Sequence, residues 1–74
     1  MEDVEVSCYS GFTYADHPRS FYWQGIEHKV QRVERVWQEP GVRHFLIRTE
    51  DDKLFEIGYH EREDRWSAIE LVSI

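Results

Sequence analysis

The stretch "IEHKVQRVERVW", residues 26 to 37, decides the fold, because its pattern fits two different secondary structures. Read as a helix, it has apolar residues at helical spacing on one face: Ile26, Val30, Val33 and Trp37. Most of the remaining positions are Glu, Lys, Gln or Arg, which are good helix formers. A helix over this stretch would exclude a β-barrel.

Other features of the stretch favour a strand. All of its aliphatic residues are β-branched, and it contains neither Ala nor Leu. It follows the tight turn Gln24-Gly25 without a Ser, Thr, Asp or Asn to cap a helix.

Read as a strand, the stretch has two halves that are out of phase. Residues sharing a face alternate within each half, Ile26, His28 and Val30 in the first and Val33, Arg35 and Trp37 in the second. The halves differ in phase by one residue, which a β-bulge near Gln31-Arg32 would correct. The residue pattern alone leaves helix and bulged strand both open.

The rest of the chain is rich in strand patterns. Alternation or aromatic content predicts five further strands: "VEVSCY" (4–9), "FYW" (21–23), "RHFLIRTE" (43–50), "LFEIGY" (54–59) and "WSAIELV" (66–72). We expect a loop over residues 10 to 20 and short turns between the later strands, which predicts an antiparallel meander. In the last strand, Ile69 and Leu71 are expected to face the core. Trp66 then shares the side of Glu70, where it covers the second face or lies at the strand end.

The composition is that of a single globular domain, residues 1 to 74. The chain is 41% hydrophobic and 32% charged, unlike disordered sequences. The only cysteine, Cys8, cannot form an intrachain disulfide, which favours a reducing compartment. The acidic start lacks the features of a secretory leader, and no apolar run approaches the roughly 20 residues of a membrane helix. We therefore expect a bacterial-style cytoplasmic protein without membrane association.

Charge is unevenly distributed along the chain, whose net charge is −6. Residues 1 to 18 carry −4, residues 19 to 48 carry +3 and residues 49 to 74 carry −5. The centre is therefore a basic segment between acidic ends.

No motif for catalysis or for a cofactor stands out. The candidate metal ligands Cys8, His17, His28, His44 and His60 are separated by 9, 11, 16 and 16 residues, gaps too wide for a local zinc motif. Pairing of neighbouring strands would still allow His28 and His44 to meet. Cys8 is expected to face the core as a small apolar group and not as a nucleophile. We expect no enzymatic activity, no metal and no cofactor.

Three strings, "PRSFYWQGIEHKVQRVERVW", "FLIRTEDDKLFEI" and "RWSAIEL", carry a family resemblance. They resemble a small uncharacterised bacterial domain family, found alone or appended to Y-family translesion-polymerase-like proteins. The matching positions are Pro18, Phe21, Trp23, Gly25, His28, Val30, Val33, Trp37, Arg48, Asp52, Phe55, Glu56 and Trp66. The resemblance implies an antiparallel all-β domain, a strand over 26 to 37 and an association with DNA repair. The acidic final third departs from a nucleic-acid-binding role.

A candidate binding face combines aromatic residues with the bases of the central segment: Arg19, Tyr22, Trp23, Lys29, Arg32, Arg35, Trp37, Arg43 and Arg48. Small β domains hold single-stranded nucleic acid by stacking bases on exposed rings beside a basic stripe. The competing interpretation is that these cations pair with Glu27, Glu34 and neighbouring acidic strands, and that most of the aromatic residues are core.

The sequence therefore predicts an all-β fold, a single small domain in which a five- to six-stranded antiparallel meander curls into a half-open barrel. We expect a non-catalytic interaction module that binds another protein or a second copy of itself as a homodimer, because a small curved sheet exposes edges. An accessory single-stranded nucleic-acid contact through the basic strands 19 to 48 is the alternative.

Overall fold

The computed structural model describes residues 2–8 and 17–71, and all of its regular structure is β-strand. The strands are β1 (Glu2–Val4), β2 (Val6–Cys8), β3 (Pro18–Trp23), β4 (Ile26–Glu39), β5 (Val42–Thr49), β6 (Leu54–His60) and β7 (Arg65–Leu71). They form one antiparallel sheet in the order β1-β7-β6-β5-β4-β3-β2. The all-β prediction is confirmed, although the sheet has seven strands, more than expected. The predictions for residues 9 to 16 and Val72 lie outside the described residues.

The N-terminal segment closes this sheet into a nearly complete barrel. β1 pairs with β7 and β2 pairs with β3, and Glu5 alone separates the two strands. The carbonyl of Glu5 accepts a hydrogen bond from the Tyr22 N–H at 3.0 Å, which connects the two pairings. One short segment therefore satisfies strand edges on both sides, and its division at Glu5 accounts for the additional strand.

Aromatic and aliphatic side chains from β3, β5, β6 and β7 fill the barrel: Phe21, Phe45, Ile47, Phe55, Ile57, Trp66 and Ala68. The alternation predicted for β5 and β6 is confirmed. Phe21 meets Phe55 edge to face with 5.0 Å between ring centroids, and Trp23 packs on the same ring at 5.5 Å. Each fully buried large side chain contributes roughly 1.5–3 kcal/mol, so a small domain depends on these rings.

The side predicted for residues of β7 is wrong. Trp66 and Ala68 are buried in the core, whereas Ile69 and Leu71 lie on the outer side, with Ile69 40% exposed. Directly paired residues share a face of the sheet. Trp66 pairs with Tyr59, and the centroids of their rings are 5.0 Å apart. The pairing with β6 therefore sets which side of β7 faces the core.

The deciding stretch is a bulged strand, so the helix interpretation is wrong. β4 is 14 residues long, and its pairing with β5 shifts between Val30 and Arg32, where the bulge was predicted. A second shift, between Val33 and Arg35, was not predicted. Because of it, Val33 lies on the inner side while Arg35 and Trp37 lie on the outer side, which corrects the expectation of a common face.

A buried threonine organises the turn from β5 to β6. The hydroxyl of Thr49, which is 0% exposed, accepts a hydrogen bond from the Lys53 N–H at 3.0 Å and donates one to the Asp51 carboxylate. Asp51 also lies 3.4 Å from Nδ1 of the buried His28, whose ring stacks on Phe21. The hydrogen bond from Thr49 lowers the pKa of Asp51 below its ordinary value, and the contact with His28 adds to this effect.

Replacing Asp51 by Asn is expected to make stability less dependent on acid pH. The folded-state pKa of Asp51 is lowered, so its stabilising effect is present above the unfolded pKa of about 3.9 and is lost as the pH falls through the folded value. For this half-exposed group we expect the Asp51→Asn loss to stay below about 1 kcal/mol at neutral pH. Urea unfolding across the acid range measures it.

The matched control is the same comparison in a Thr49→Val background, which removes the hydroxyl that lowers the pKa of Asp51. The pH-dependent difference should then become smaller. A difference between wild type and Asp51→Asn that stays constant from neutral to strongly acidic pH would contradict this prediction.

Candidate functional site

β4 is much longer than β3, with 14 residues against 6. β3 stops pairing with β4 at Ser20–Lys29, and it begins at Pro18, whose ring nitrogen has no hydrogen to donate to a ladder. β5, on the other side, pairs with β4 as far as Glu39. Within the described parts of the chain, residues 32 to 39 therefore have a neighbouring strand on one side only. We call these residues the β4 extension.

The inner side of the β4 extension presents valines to solvent. Val33 is 39% exposed and Val36 is 55% exposed, although they pair with the core residues Ile47 and Phe45. The two valines line a groove of about 480 Å³ that Pro18 borders. Exposed apolar side chains beside an unpaired strand edge are typical of surfaces that accept another strand.

The outer side of the extension is aromatic and charged. The Arg35 guanidinium lies 5.1 Å from the centre of the Trp37 ring, and Trp37 stacks on His44 of β5 with 5.1 Å between ring centroids. His44 is buried, with Nε2 2.5 Å from Glu39 and Nδ1 3.2 Å from Glu56. Both contacts have ion-pair distances without hydrogen-bond alignment. The Trp37–His44 stack holds the C-terminal part of the β4 extension against β5.

Glu34, at the second bulge, holds the N-terminal part of the β4 extension against β5 through Arg48. Its carboxylate accepts a hydrogen bond from Nε of Arg48 at 3.1 Å and lies 3.6 Å from the guanidinium of Arg32. Arg48 also reaches Asp52 at 3.5 Å. Two bases of the predicted binding face are therefore paired with acids within the chain.

The structure divides the predicted binding face between the two sides of the sheet. Six of its residues lie on the outer side: Tyr22, Lys29, Arg32, Arg35, Trp37 and Arg48. Arg19, Trp23 and Arg43 are two residues from the core residues Phe21 and Phe45, so they lie on the inner side. Trp23 packs against the core, so it does not share a surface with the outer bases. The predicted residues do not form one continuous face.

The candidate metal ligands are dispersed. His28 lies inside the barrel and His44 lies on its outer side. His60 forms a hydrogen bond with Ser67, with 2.9 Å between Nε2 and Oγ. Ser67 is buried, with 3% of its surface exposed. Cys8 packs at the edge of the core, as predicted. Among the residues that the structure describes, no group of three or more His, Cys, Asp or Glu is placed to hold a metal ion.

Sequence reasoning missed Val36 and the unpaired edge. A signal for Val36 was present, because Val30, Val33 and Val36 recur every third residue. That interval does not match a regular strand, and it equals a strand repeat plus one bulged residue at each step. The unpaired edge depends on where β3 begins, and Pro18 is a local indication of that point.

No protein-family model, no curated protein and no solved structure is significantly similar to this chain. The resemblance to a domain of translesion-polymerase-like proteins therefore stays a prediction. The described part of the chain contains no helix of the length and apolarity needed to cross a membrane. Any functional assignment consequently depends on the geometry of the barrel.

We expect the exposed valines to contribute little to the stability of the single chain. Val33→Lys and Val36→Lys should each change the free energy of unfolding by less than about 0.5 kcal/mol, because exposed substitutions are usually tolerated. Ile47→Ala, at the buried partner of Val33, should cost about 2–5 kcal/mol. Guanidinium unfolding of dilute protein, followed by tryptophan fluorescence, measures all three. If Val33→Lys or Val36→Lys lowered the free energy of unfolding as much as Ile47→Ala does, the valines would belong to the core and the prediction would be wrong.

Proposed function

We propose that this protein is a non-catalytic interaction module that binds an extended protein segment along the β4 extension. The observation that supports it is the strand edge over residues 32 to 39, which lacks a second neighbour in the described chain and lies beside exposed Val33 and Val36. An added strand would bond to the backbone of this edge, and its alternate side chains would fill the valine-lined groove.

The edge is held in strand conformation within the single chain. The Trp37–His44 stack and the Glu34–Arg48 hydrogen bond hold it against β5 before any partner binds. A rigid binding surface lowers the entropic cost of association, since less of the chain has to be ordered.

Residues 32 to 39 lack two of the usual protections against pairing, a proline within the edge and a charge that points inward. Exposed edges in natural sheets commonly carry prolines or inward-pointing charges that prevent a second strand from adding. Here the inward positions hold Val33 and Val36, and the charges point outward. This arrangement supports a binding role for the edge.

The nucleic-acid alternative has less support. Arg32 and Arg48 are paired with Glu34, and Trp23 is packed against the core and is not open to a base. The net charge of −6 also opposes association with a phosphate backbone.

Photocrosslinking in the cells that express the protein tests the proposed function. A benzophenone amino acid replaces Val36, which is 55% exposed, or Ile69, which is 40% exposed on the outer side of β7, as the matched control. We expect protein adducts from position 36, few from position 69, and loss of the former when Val33→Lys is added. Equal labelling at both positions, or labelling unaffected by Val33→Lys, would refute the proposal.

A further inference from the structure

We propose that the segment bound along the β4 extension is the same segment of a second copy of this chain, paired antiparallel in one defined register. This inference depends on the proposed function and specifies its partner. Residues 32 to 37 of the two copies pair around a two-fold axis that passes between Glu34 and Arg35. Such an interface uses the same surface twice and closes on itself.

The length of the unpaired edge limits where a second strand fits. Continuing the β3–β4 register beyond Ser20–Lys29 places Pro18 beside Gln31, so among the described strands none borders this edge from Arg32 onward. A pairing of 32 to 37 with itself keeps the paired segment clear of β3 in both copies. A register centred nearer to Lys29 would bring the second strand against β3.

In this register, every facing pair is chemically complementary. Val33 of one copy faces Val36 of the second, Glu34 faces Arg35, and Arg32 faces Trp37. The two-fold axis repeats each pair, which gives two apolar contacts, two ion pairs and two cation–π contacts. Pairs of these kinds stabilise neighbouring strands.

The register is also consistent with the side of the sheet on which each residue lies. Directly opposed residues must lie on the same side, and here Val33 and Val36 are both inner, whereas the four charged or aromatic residues of the window are all outer. This agreement requires the second bulge. In a regular strand, Val33 and Val36 would point to opposite sides and could not face each other around a two-fold axis.

A slip by one residue in either direction is unfavourable. A two-fold axis through Glu34 would put two glutamates directly opposite each other, and an axis through Arg35 would do the same with two arginines. Directly opposed like charges destabilise a strand pair. The pairing of Glu34 with Arg35 therefore selects the register. Glu34 retains acceptor capacity for this contact although Arg48 already donates to it at 3.1 Å, because a carboxylate accepts several hydrogen bonds.

Charge reversal with mixing tests the inference on the purified full-length chain. Sedimentation over a range of concentrations should show twice the chain mass at high concentration for the wild type. Glu34→Arg alone and Arg35→Glu alone should each weaken self-association at least about tenfold, because each places like charges opposite each other twice. Arg62→Glu, in the turn before β7, makes the same charge change as Arg35→Glu and should leave association unchanged.

The decisive sample is an equimolar mixture of the two reversed variants. In a mixed dimer, the introduced arginine faces the introduced glutamate, and the native Arg35 of one chain faces the native Glu34 of the other. Association should therefore return to near the wild-type level, which also demonstrates that both variants fold. Loss of the Glu34–Arg48 bond alone would not be restored by mixing.

The remaining outcomes separate the two proposals. A wild-type chain that stays monomeric, or single variants that still associate, would overturn the self-pairing. If Val36 nevertheless crosslinked to a different protein in a Val33-dependent manner, the proposed function would stand with another partner. A monomer without such crosslinks would overturn both.

Discussion

The need to pair backbone hydrogen-bonding groups along strand edges governs this small barrel. Seven N-terminal residues serve two edges at once, with β1 on β7, β2 on β3 and Glu5 joining them. β4, however, continues beyond the point at which β3 begins at Pro18. The same requirement that closes the barrel on one side leaves the β4 extension with a single described neighbour. The fold and the candidate site thus have a common cause.

The two bulges of β4 connect the fold to the surface chemistry. Each adds one residue, so Val30, Val33 and Val36 keep to the inner side although they are three residues apart. The first of these residues, Val30, lies beside β3 and packs against the barrel core. Beyond β3, the same series emerges as exposed valines, while Arg32, Glu34 and Arg35 stay outside. A strand without the second bulge would mix valines and charges on both sides.

Aromatic residues stabilise two separate regions of the molecule. Inside the barrel, Phe21 and Phe55 form the centre of the core. Outside it, Trp37 stacks on His44 and holds the β4 extension, which has a single neighbour among the described strands, against β5. A domain of this size buries only about 60% of its unfolded surface, so packing on the outer side supplements a small interior. The outer stack makes a one-sided strand compatible with an ordered structure.

The sequence by itself determined the alternation of β5 and β6 and the turn at Gln24-Gly25, where φ is 51° and 80°. Its residue pattern left helix and strand open over residues 26 to 37, but it located the first bulge of β4 once that stretch was taken as a strand. These features depend on alternation and on local backbone preferences, which neighbouring residues encode. Tertiary structure alone decided the side of Trp66, the division of the N-terminal strand, the second bulge and the unpaired edge. Each of these depends on which strand lies alongside and where that strand ends, and residues distant in the chain set both. The predicted face failed as a single surface because Arg19, Trp23 and Arg43 lie on the inner side of β3 and β5, whereas its other members lie on the outer side. The second bulge brought Arg35 and Trp37 to the outer side that Arg32 already occupies, and the pairing with β5 fixed that side.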